Sequence, residues 1–219
     1  MRKNKIGIVV PYRNRREHLN HFIPSITTIL KEQNIDYEVI IVEQADDKPF
    51  NRGKLLNVGV KRAKKLKCNY VALHDVDMLP QEVDYSIVDR PTHLATKFTS
   101  DHKEKRIIFD GYFGGVTLFP IMDYYKVNGY SNEYWGWGYE DDDLLFRCKE
   151  NLFDFNTKQT PIKTSNSAGL EFNGWDSEVK IPMKFGLDNY TILLSFEPYK
   201  IDCREELDID EYSILSIPG

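Results

Sequence analysis

Cysteine is scarce in this 219-residue chain, and its spacing suits no metal site. The three cysteines, Cys68, Cys148 and Cys203, lie far apart, and no CxxC or CxxH pair occurs, which argues against structural zinc. An odd number of cysteines without a secretion signal favours reduced thiols. The sequence therefore predicts a cytoplasmic protein.

The chain also lacks an apolar run long enough for a membrane span or a signal-peptide core. The first apolar segment, Ile6 to Val10, is short and is followed directly by Pro11. Positive charge is not in excess either, because the formal net charge is −5, so no basic surface for nucleic acid is expected. We predict no transmembrane segment and no nucleic-acid partner, and we leave peripheral membrane association open.

The first eighty or so residues alternate between apolar and amphipathic segments, as in a βαβαβ unit. Strands are expected at 6–10, 37–42 and 70–73, and helices at 15–32 and 52–66. Later strands are expected at 93–97, 114–119 and 190–196, and later helices at 121–127 and 141–150. The pattern predicts an α/β fold in a single domain, with a central, mostly parallel sheet and helices on both faces.

Polar residues follow each of the first three predicted strands, in segments 11–15, 44–52 and 74–77. Because parallel strands end at one edge of a sheet, these segments are expected to form one ligand site. Four basic side chains at or near these strand ends and the following helix starts suit phosphate binding, although solvated surface charge is the alternative. They are Arg13, Arg15, Arg52 and Lys54.

Two aspartates, Asp75 and Asp77, flank Val76 directly after the third strand. A D-x-D turn in this position suits a divalent cation that bridges a diphosphate. The alternative is a pair of turn-forming aspartates before Pro80.

An aromatic pair precedes two glycines at 112–116, which reads YFGGV. Glycine lets the backbone approach a ligand closely, so Tyr112 and Gly115 are candidate ligand contacts. A strand bend with Phe113 in the core explains the same residues equally well.

Four consecutive carboxylates follow two tryptophans in segment 134–143, YWGWGYEDDD. Tryptophan offers a flat apolar face to a sugar ring, and a carboxylate can accept a proton from a hydroxyl. The combination favours a site for a polyhydroxylated acceptor. An acidic first turn of a helix is the alternative, and both can hold.

With these residues in view, the chain resembles the β-1,4-galactosyltransferases of glycosyltransferase family 7. The resemblance covers about residues 5–150 and is carried by PYRNR at 11–15, FNRGKLLNVG at 50–59, DVD at 75–77, YFGGV at 112–116 and NGYSNEYWGWGYEDDD at 128–143. A weaker match is GLDNYT at 186–191. His74 to Asp77, with Asp84 and Tyr85, is similar to the xylose-accepting branch.

The resemblance implies a GT-A fold, a UDP-galactose donor and inversion at the transferred sugar, with a β-1,4 linkage expected. It implies that about 1–110 form a nucleotide-sugar-binding half and about 111–219 an acceptor-binding half. It implies donor contacts from Pro11, Arg13, Arg15, Phe50, Arg52, Asp75, Val76, Tyr112, Gly115 and Trp137. It implies Asp77 as a manganese ligand.

On the acceptor side, the resemblance implies that Asp141 deprotonates the attacking hydroxyl. It implies that Glu140, Asp142, Trp137 and Tyr139 contact the acceptor, which is a xyloside, a glucoside or an N-acetylglucosaminide. Trp137 is expected to be the mobile tryptophan that closes over the donor.

The chain departs from the family pattern in its metal ligands. The family adds a histidine downstream of the acidic motif, whereas no histidine follows His102 here. Segment 164–169 lies in that region, and an oxygen ligand such as Asn166 would favour magnesium or manganese. The family's stem, membrane anchor and paired cysteines have no counterpart, which predicts a soluble relative of bacterial or viral type. A catalytically weak or inactive UDP-sugar- or glycan-binding relative is the alternative function.

Overall fold

The structure is a computed structural model and describes residues 4–100, 103–106, 112–151, 156–164 and 212–217. The predicted alternation in the first part of the chain is confirmed. It comprises β1 (Lys5–Tyr12), α1 (Arg16–Glu32), β2 (Asp36–Gln44), α2 (Arg52–Lys65) and β3 (Tyr70–His74). The strands β1 and β2 pair in parallel, as do β1 and β3, so their carboxyl ends share one edge of the sheet.

Further strands extend this sheet on both sides. They are β4 (Met78–Pro80), β5 (Thr92–Ser100), β6 (Lys103–Arg106), β7 (Val116–Pro120), β8 (Asn156–Thr164) and β9 (Tyr212–Ile217). The strand order is β4-β8-β5-β7-β3-β1-β2-β9, and β6 pairs with β5.

The α/β class is confirmed, and the sheet is mixed. The part formed by β3, β1, β2 and β9 is parallel. The strand β7 runs antiparallel to both β3 and β5, whereas β5 and β8 are parallel. Polar residues dominate β8, and β4 is only three residues long, so neither has the apolar run that marked the strands predicted above. The strand predicted at 190–196 lies outside the described residues.

Two hydrophobic clusters cover opposite faces of the sheet, as the alternation of strand side chains requires. One face of β1 carries Ile8 and Val10, which pack with the apolar stripe of α1. The opposite face carries Val9, which packs with α2 and with residues of two later helices. These helices are α3 (Ile121–Lys126) and α4 (Glu140–Glu150). The predicted helices on both faces are therefore present.

Arg147 fixes the position of α4 beside α3. Its guanidinium donates to Asp143 Oδ2 at 2.5 Å within α4 and to the carbonyls of Val127 and Gly129 after α3. Asp143 is almost fully buried, so this ion pair lies inside the protein rather than on its surface. The acidic N-terminus of α4 is thereby held against the segment that follows α3.

Candidate active site

The three strand-end segments meet, as the sequence predicted. Arg15, after β1, contacts Asp77, after β3, with 2.9 Å between Nη1 and Oδ2. Arg52, at the start of α2, donates from Nε to Asp75 Oδ1 at 2.7 Å. Two arginines thus neutralise the two aspartates of the D-x-D turn.

Arg13, which follows β1, contacts the loop between β2 and α2 at this edge of the sheet. Its Nη1 donates to the Lys48 carbonyl at 2.6 Å, and its guanidinium lies over the Phe50 ring, 5.4 Å from the centroid. The half-buried Phe50 and Arg13 form a combined flat and charged surface.

Pro11 and Val76 are less accessible than the other predicted donor contacts. Pro11 is buried within β1, and Val76 is 4% exposed in the cluster that includes α1. The buried Val76 side chain turns away from solvent, so any ligand contact at these two positions comes from backbone atoms.

A series of buried hydrogen bonds holds the backbone of Asp75, the first residue of the D-x-D turn. His74 Nδ1 lies 3.0 Å from the Asp75 carbonyl, and His74 Nε2 lies 2.9 Å from the Tyr85 hydroxyl. Burial lowers the pKa of His74 to about 4, so the ring is neutral at neutral pH. Since a carbonyl only accepts, Nδ1 carries the proton, and the Tyr85 hydroxyl donates to Nε2. Gln33, the C-cap of α1, accepts from the Tyr85 backbone N–H at 2.9 Å.

The Asp141 carboxylate lies at the N-terminus of α4 and meets Arg52. Arg52 Nη1 donates to Asp141 Oδ1 at 2.8 Å, and the Tyr130 hydroxyl donates to the same oxygen at 2.6 Å. Glu140 Oε1 lies 3.7 Å from Arg52 Nη1. Burial opposes the charge on Arg52, yet the carboxylates of Asp141 and Asp75 raise its pKa well above the ordinary value.

Three carboxyls of this cluster are harder to ionise than usual. Burial and the neighbouring Asp141 raise the pKa of Glu140 to about 7, against the opposing charge of Arg52. Burial likewise raises the pKa of Asp75 to about 6, although Arg52 opposes it. Burial and Asp141 also raise the pKa of the half-exposed Asp142. The pKa values of the Glu140 and Asp75 carboxyls therefore lie close to neutral pH, as is common for carboxyls in functional sites.

The YFGGV segment lies against the same cluster. A β-carbon on Gly114 would overlap Asp141 Oδ2, so the backbone approaches the carboxylate as closely as glycine allows. Gly115 has a φ of +77°, and a β-carbon at this position would lie 3.3 Å from the Tyr112 hydroxyl oxygen. His93 of β5 donates from Nε2 to the Gly114 carbonyl at 2.8 Å, and burial lowers its pKa. Phe113 is buried in the core, as the strand-bend interpretation expects, and ligand contact at Tyr112 and Gly115 stays a prediction.

The tryptophan segment is exposed beside these groups. Trp137 is 73% exposed and Trp135 43%, and the Lys48 ammonium lies 5.8 Å from the Trp135 ring centroid. The Gly136 N–H donates to the Phe50 carbonyl at 2.8 Å, which joins this segment to the loop that holds Arg13. Tyr139 precedes α4 with a left-handed φ of 69°. The acidic run forms the first turn of α4, so both interpretations of this segment are compatible.

No group of three or more histidine, cysteine, aspartate or glutamate side chains that could hold a metal ion occurs among the described residues. Segment 165–169, with Asn166, lies outside them. In the described part of the chain, no helix is both long and apolar enough to cross a membrane.

Sequence reasoning did not assign a role to three residues of the site: His93, Tyr130 and Asn57. Their contacts join segments far apart in the chain, for example Asn57 Nδ2 to the Tyr130 carbonyl at 2.8 Å. Tyr130 lies within the motif at 128–143 and Asn57 within the motif at 50–59, whereas His93 lies in none of the quoted motifs. Periodicity does not identify such residues, because it detects buried faces and not the partners of a polar group.

Two family models match the chain in succession. Residues 1–88 match the N-terminal region of glycosyl transferase group 7, and residues 94–167 match a model described as the N-terminal domain of galactosyltransferase. Together they span most of the described residues and include every predicted site residue.

Curated proteins of the same kind are similar over much of the chain. A xylosylprotein 4-β-galactosyltransferase of Caenorhabditis elegans is 35% identical over 75% of this chain and 56% of its own length. Human β-1,4-galactosyltransferase 4 is 42% identical over 66% of this chain and 42% of its own length. Drosophila melanogaster β-1,4-galactosyltransferase 7 is 35% identical over 96% of this chain and 67% of its own length. The chain thus spans about half the length of the first two relatives.

Solved structures share the fold. The catalytic domain of Drosophila β-1,4-galactosyltransferase 7 with xylobiose superposes with a TM-score of 0.80 and 29% identity, covering 98% of this chain and 94% of that one. A mutant of the same enzyme in complex with manganese, UDP-Gal and xylobiose gives a TM-score of 0.79.

Proposed function

The chain belongs to the β-1,4-galactosyltransferases of glycosyl transferase group 7, and on that premise we propose that it transfers galactose from UDP-galactose to a hydroxyl of a carbohydrate acceptor. The transfer inverts the anomeric configuration and forms a β-1,4 linkage. Xylosides are the preferred acceptor class, since the related Drosophila enzyme binds xylobiose.

One observation carries the proposal: the Arg52 guanidinium contacts Asp75 through Nε and Asp141 through Nη1. Asp75 follows β3, where the donor diphosphate is proposed to bind, and Asp141 begins α4, where the acceptor is proposed to bind. A single side chain thus spans the proposed leaving group and the proposed base. An in-line displacement needs this proximity.

On the donor side, Arg13, Arg15, Arg52 and Phe50 are the proposed nucleotide contacts. Guanidinium groups bind diphosphate oxygens by paired hydrogen bonds, and the Phe50 ring offers an apolar face. Tyr112 and Gly115 are proposed to lie beside the galactose. Diphosphate binding would draw Arg15 away from Asp77, since both acceptors compete for its guanidinium.

A divalent cation, manganese or magnesium, fits the chemistry of the D-x-D turn in part. Carboxylate oxygens are its preferred ligands, and Asp77 would hold it with help from donor phosphates and water. When bound, the cation supplies positive charge at the diphosphate. The manganese in the related Drosophila structure supports this assignment.

On the acceptor side, Asp141 is proposed to accept the proton of the attacking hydroxyl. The oxygen then attacks the anomeric carbon, and UDP leaves from the opposite face with the bonding electrons. Glu140, Asp142, Trp137 and Tyr139 are proposed to orient the sugar, with the exposed Trp137 closing over the ligands. General-base help of this kind contributes about 10²–10⁴-fold in rate.

The division into a donor half at about 1–110 and an acceptor half at about 111–219 is part of the same proposal. A cytoplasmic location stays a prediction from the cysteine pattern, supported by free, buried thiols at Cys68 and Cys148.

The test is UDP release from UDP-galactose, UDP-glucose and UDP-N-acetylgalactosamine with xylosides, glucosides and N-acetylglucosaminides, before and after chelation. We expect release only with UDP-galactose, strongest with xylosides and restored by manganese. Binding of UDP without release for any pair would contradict the proposal and favour the non-catalytic, ligand-binding alternative.

A further inference from the structure

The buried Tyr130 hydroxyl donates to Asp141, and Tyr130 is not among the predicted site residues. We propose that Tyr130 is a positioning residue that fixes Asp141 so that Oδ2, and not Oδ1, receives the acceptor proton. This inference rests on the proposed function, because it takes Asp141 to be the base.

The two oxygens of Asp141 have different surroundings. Oδ1 accepts from Tyr130 at 2.6 Å and from Arg52 at 2.8 Å, so its lone pairs are engaged. Oδ2 lies against Gly114, where a β-carbon would overlap it. Gly114 adjoins Tyr112 and Gly115, the proposed neighbours of the transferred sugar. Oδ2 is therefore the oxygen that faces the substrate side.

The direction of the Tyr130 hydrogen bond follows from its partners. Arg52 Nη1 lies 3.2 Å from the Tyr130 oxygen, and a guanidinium can only donate. The phenol therefore accepts from Arg52 and directs its own proton to Asp141. Burial raises the pKa of Tyr130 well above its ordinary value, so the phenol keeps this proton.

Tyr130 is itself held by α2 rather than by α4. Its backbone N–H donates to Asn57 Oδ1 at 3.0 Å, and its carbonyl accepts from Asn57 Nδ2 at 2.8 Å. The side chain is fully buried beside Tyr124, with 6.5 Å between ring centroids. The hydroxyl is thus a fixed point against which the carboxylate is oriented.

The test compares Tyr130→Phe with the wild type, because phenylalanine keeps the ring and removes only the hydroxyl. We expect kcat to fall about 10-fold while the KM for UDP-galactose changes less than about twofold. Tyr125→Phe is the control, since it removes the hydroxyl of a partly buried tyrosine of α3 whose ring packs against Lys64 of α2. It should keep kcat.

A second readout is the pH dependence of kcat. Loss of a donor to an ionised carboxylate favours its protonated form, so the acid limb should move to higher pH in Tyr130→Phe. A purely structural defect would lower kcat without moving this limb. The charged and titratable groups that surround Asp141 are unchanged in the variant: Arg52, Asp75, Tyr112, His93, Glu140 and Asp142.

Asp141→Asn separates failure of the inference from failure of the proposed function. An inactive Asp141→Asn beside a fully active Tyr130→Phe with an unmoved acid limb overturns the inference alone. A fully active Asp141→Asn overturns the assignment of the base and the inference with it. If the wild type transfers nothing, urea midpoints of Tyr130→Phe, Asp141→Ala and the double variant decide: non-additive shifts support positioning of Asp141, and additive shifts overturn it.

Discussion

The acidic side chains of the site are partly or fully buried, so the protonation state of each depends on its neighbours. Glu140 and Asp75 both contribute to the charge around Arg52, and burial raises the pKa of both. An acid whose folded pKa exceeds its unfolded value stabilises the fold while protonated and loses that advantage as pH rises through the folded pKa. For Glu140 the loss develops between pH 4.5 and about 7.

Glu140→Gln should therefore be more stable than the wild type at alkaline pH. The difference in unfolding free energy should grow from pH 4.5 to about 7 and then stay constant, reaching on the order of 1–3 kcal/mol. Urea denaturation across this range measures it, with Glu133→Gln at an exposed neighbouring position as the control. A difference that does not change with pH would mean that Glu140 ionises freely in the folded protein.

Gly114 illustrates a residue whose lack of a side chain has a function. Gly114→Ala would push a β-carbon into Asp141 Oδ2 and towards Tyr112. We expect kcat/KM for the acceptor to fall about 10–100-fold, because the carboxylate must move from its oriented position. Steady-state kinetics, with thermal unfolding to establish that the variant folds, tests this. Wild-type kinetics in a folded variant would show that the contact is not needed.

Motifs predicted which residues belong to the site but not how they contact one another. The segments at 11–15, 50–59, 75–77, 112–116 and 128–143 contain every predicted residue. The bond from Arg52 to Asp141 joins positions 89 residues apart, and local sequence carries no signal for such a pair. The hydrogen bond between His74 and Tyr85 depends on how the segment after β4 packs against the end of α1.

At the level of elements, α2 connects the two sides of the site. Its first residue, Arg52, reaches Asp75 and Asp141, and its cap, Asn51, donates to the Asn132 carbonyl at 2.7 Å. One turn further, Asn57 accepts from the Tyr124 hydroxyl and the Tyr130 backbone N–H. The helix is thereby joined to the segment between α3 and α4 by fully buried polar contacts.

Asn57→Ala should destabilise the protein by about 2–4 kcal/mol, because it leaves several buried donors and acceptors without partners. Urea denaturation gives the value, and Lys65→Ala on the exposed side of α2 is the matched control. If the two substitutions cost the same, the buried network does not hold α2 to the α3–α4 segment.

Elements with a clear periodicity were predicted well, and those without it were not. The apolar runs of β1, β2 and β3 and the amphipathic stripe of α1 define those elements within a few residues. The strands β8 and β9 escaped prediction, because pairing with distant strands decides whether such segments become extended.

Across the whole molecule, the sheet brings three strand ends together while α2 and α4 bring basic and acidic helix starts to the same edge. The ends of the parallel strands carry Arg13, Arg15 and the D-x-D turn on one side of the Arg52 guanidinium. The acidic start of α4 lies on the other side of this guanidinium. Arg52 links the two. This arrangement suits a reaction with two substrates, one held by its phosphates and the other by its hydroxyls.

The most direct test of this account is a comparison of the wild type with Asp141→Asn, using UDP release from UDP-galactose and a xyloside together with UDP-binding calorimetry. The substitution keeps an oxygen for Arg52 and Tyr130 but removes the base. We predict that turnover falls at least about 10²-fold while UDP affinity stays within about twofold. Undiminished turnover in Asp141→Asn would contradict the central claim that this carboxylate receives the acceptor proton.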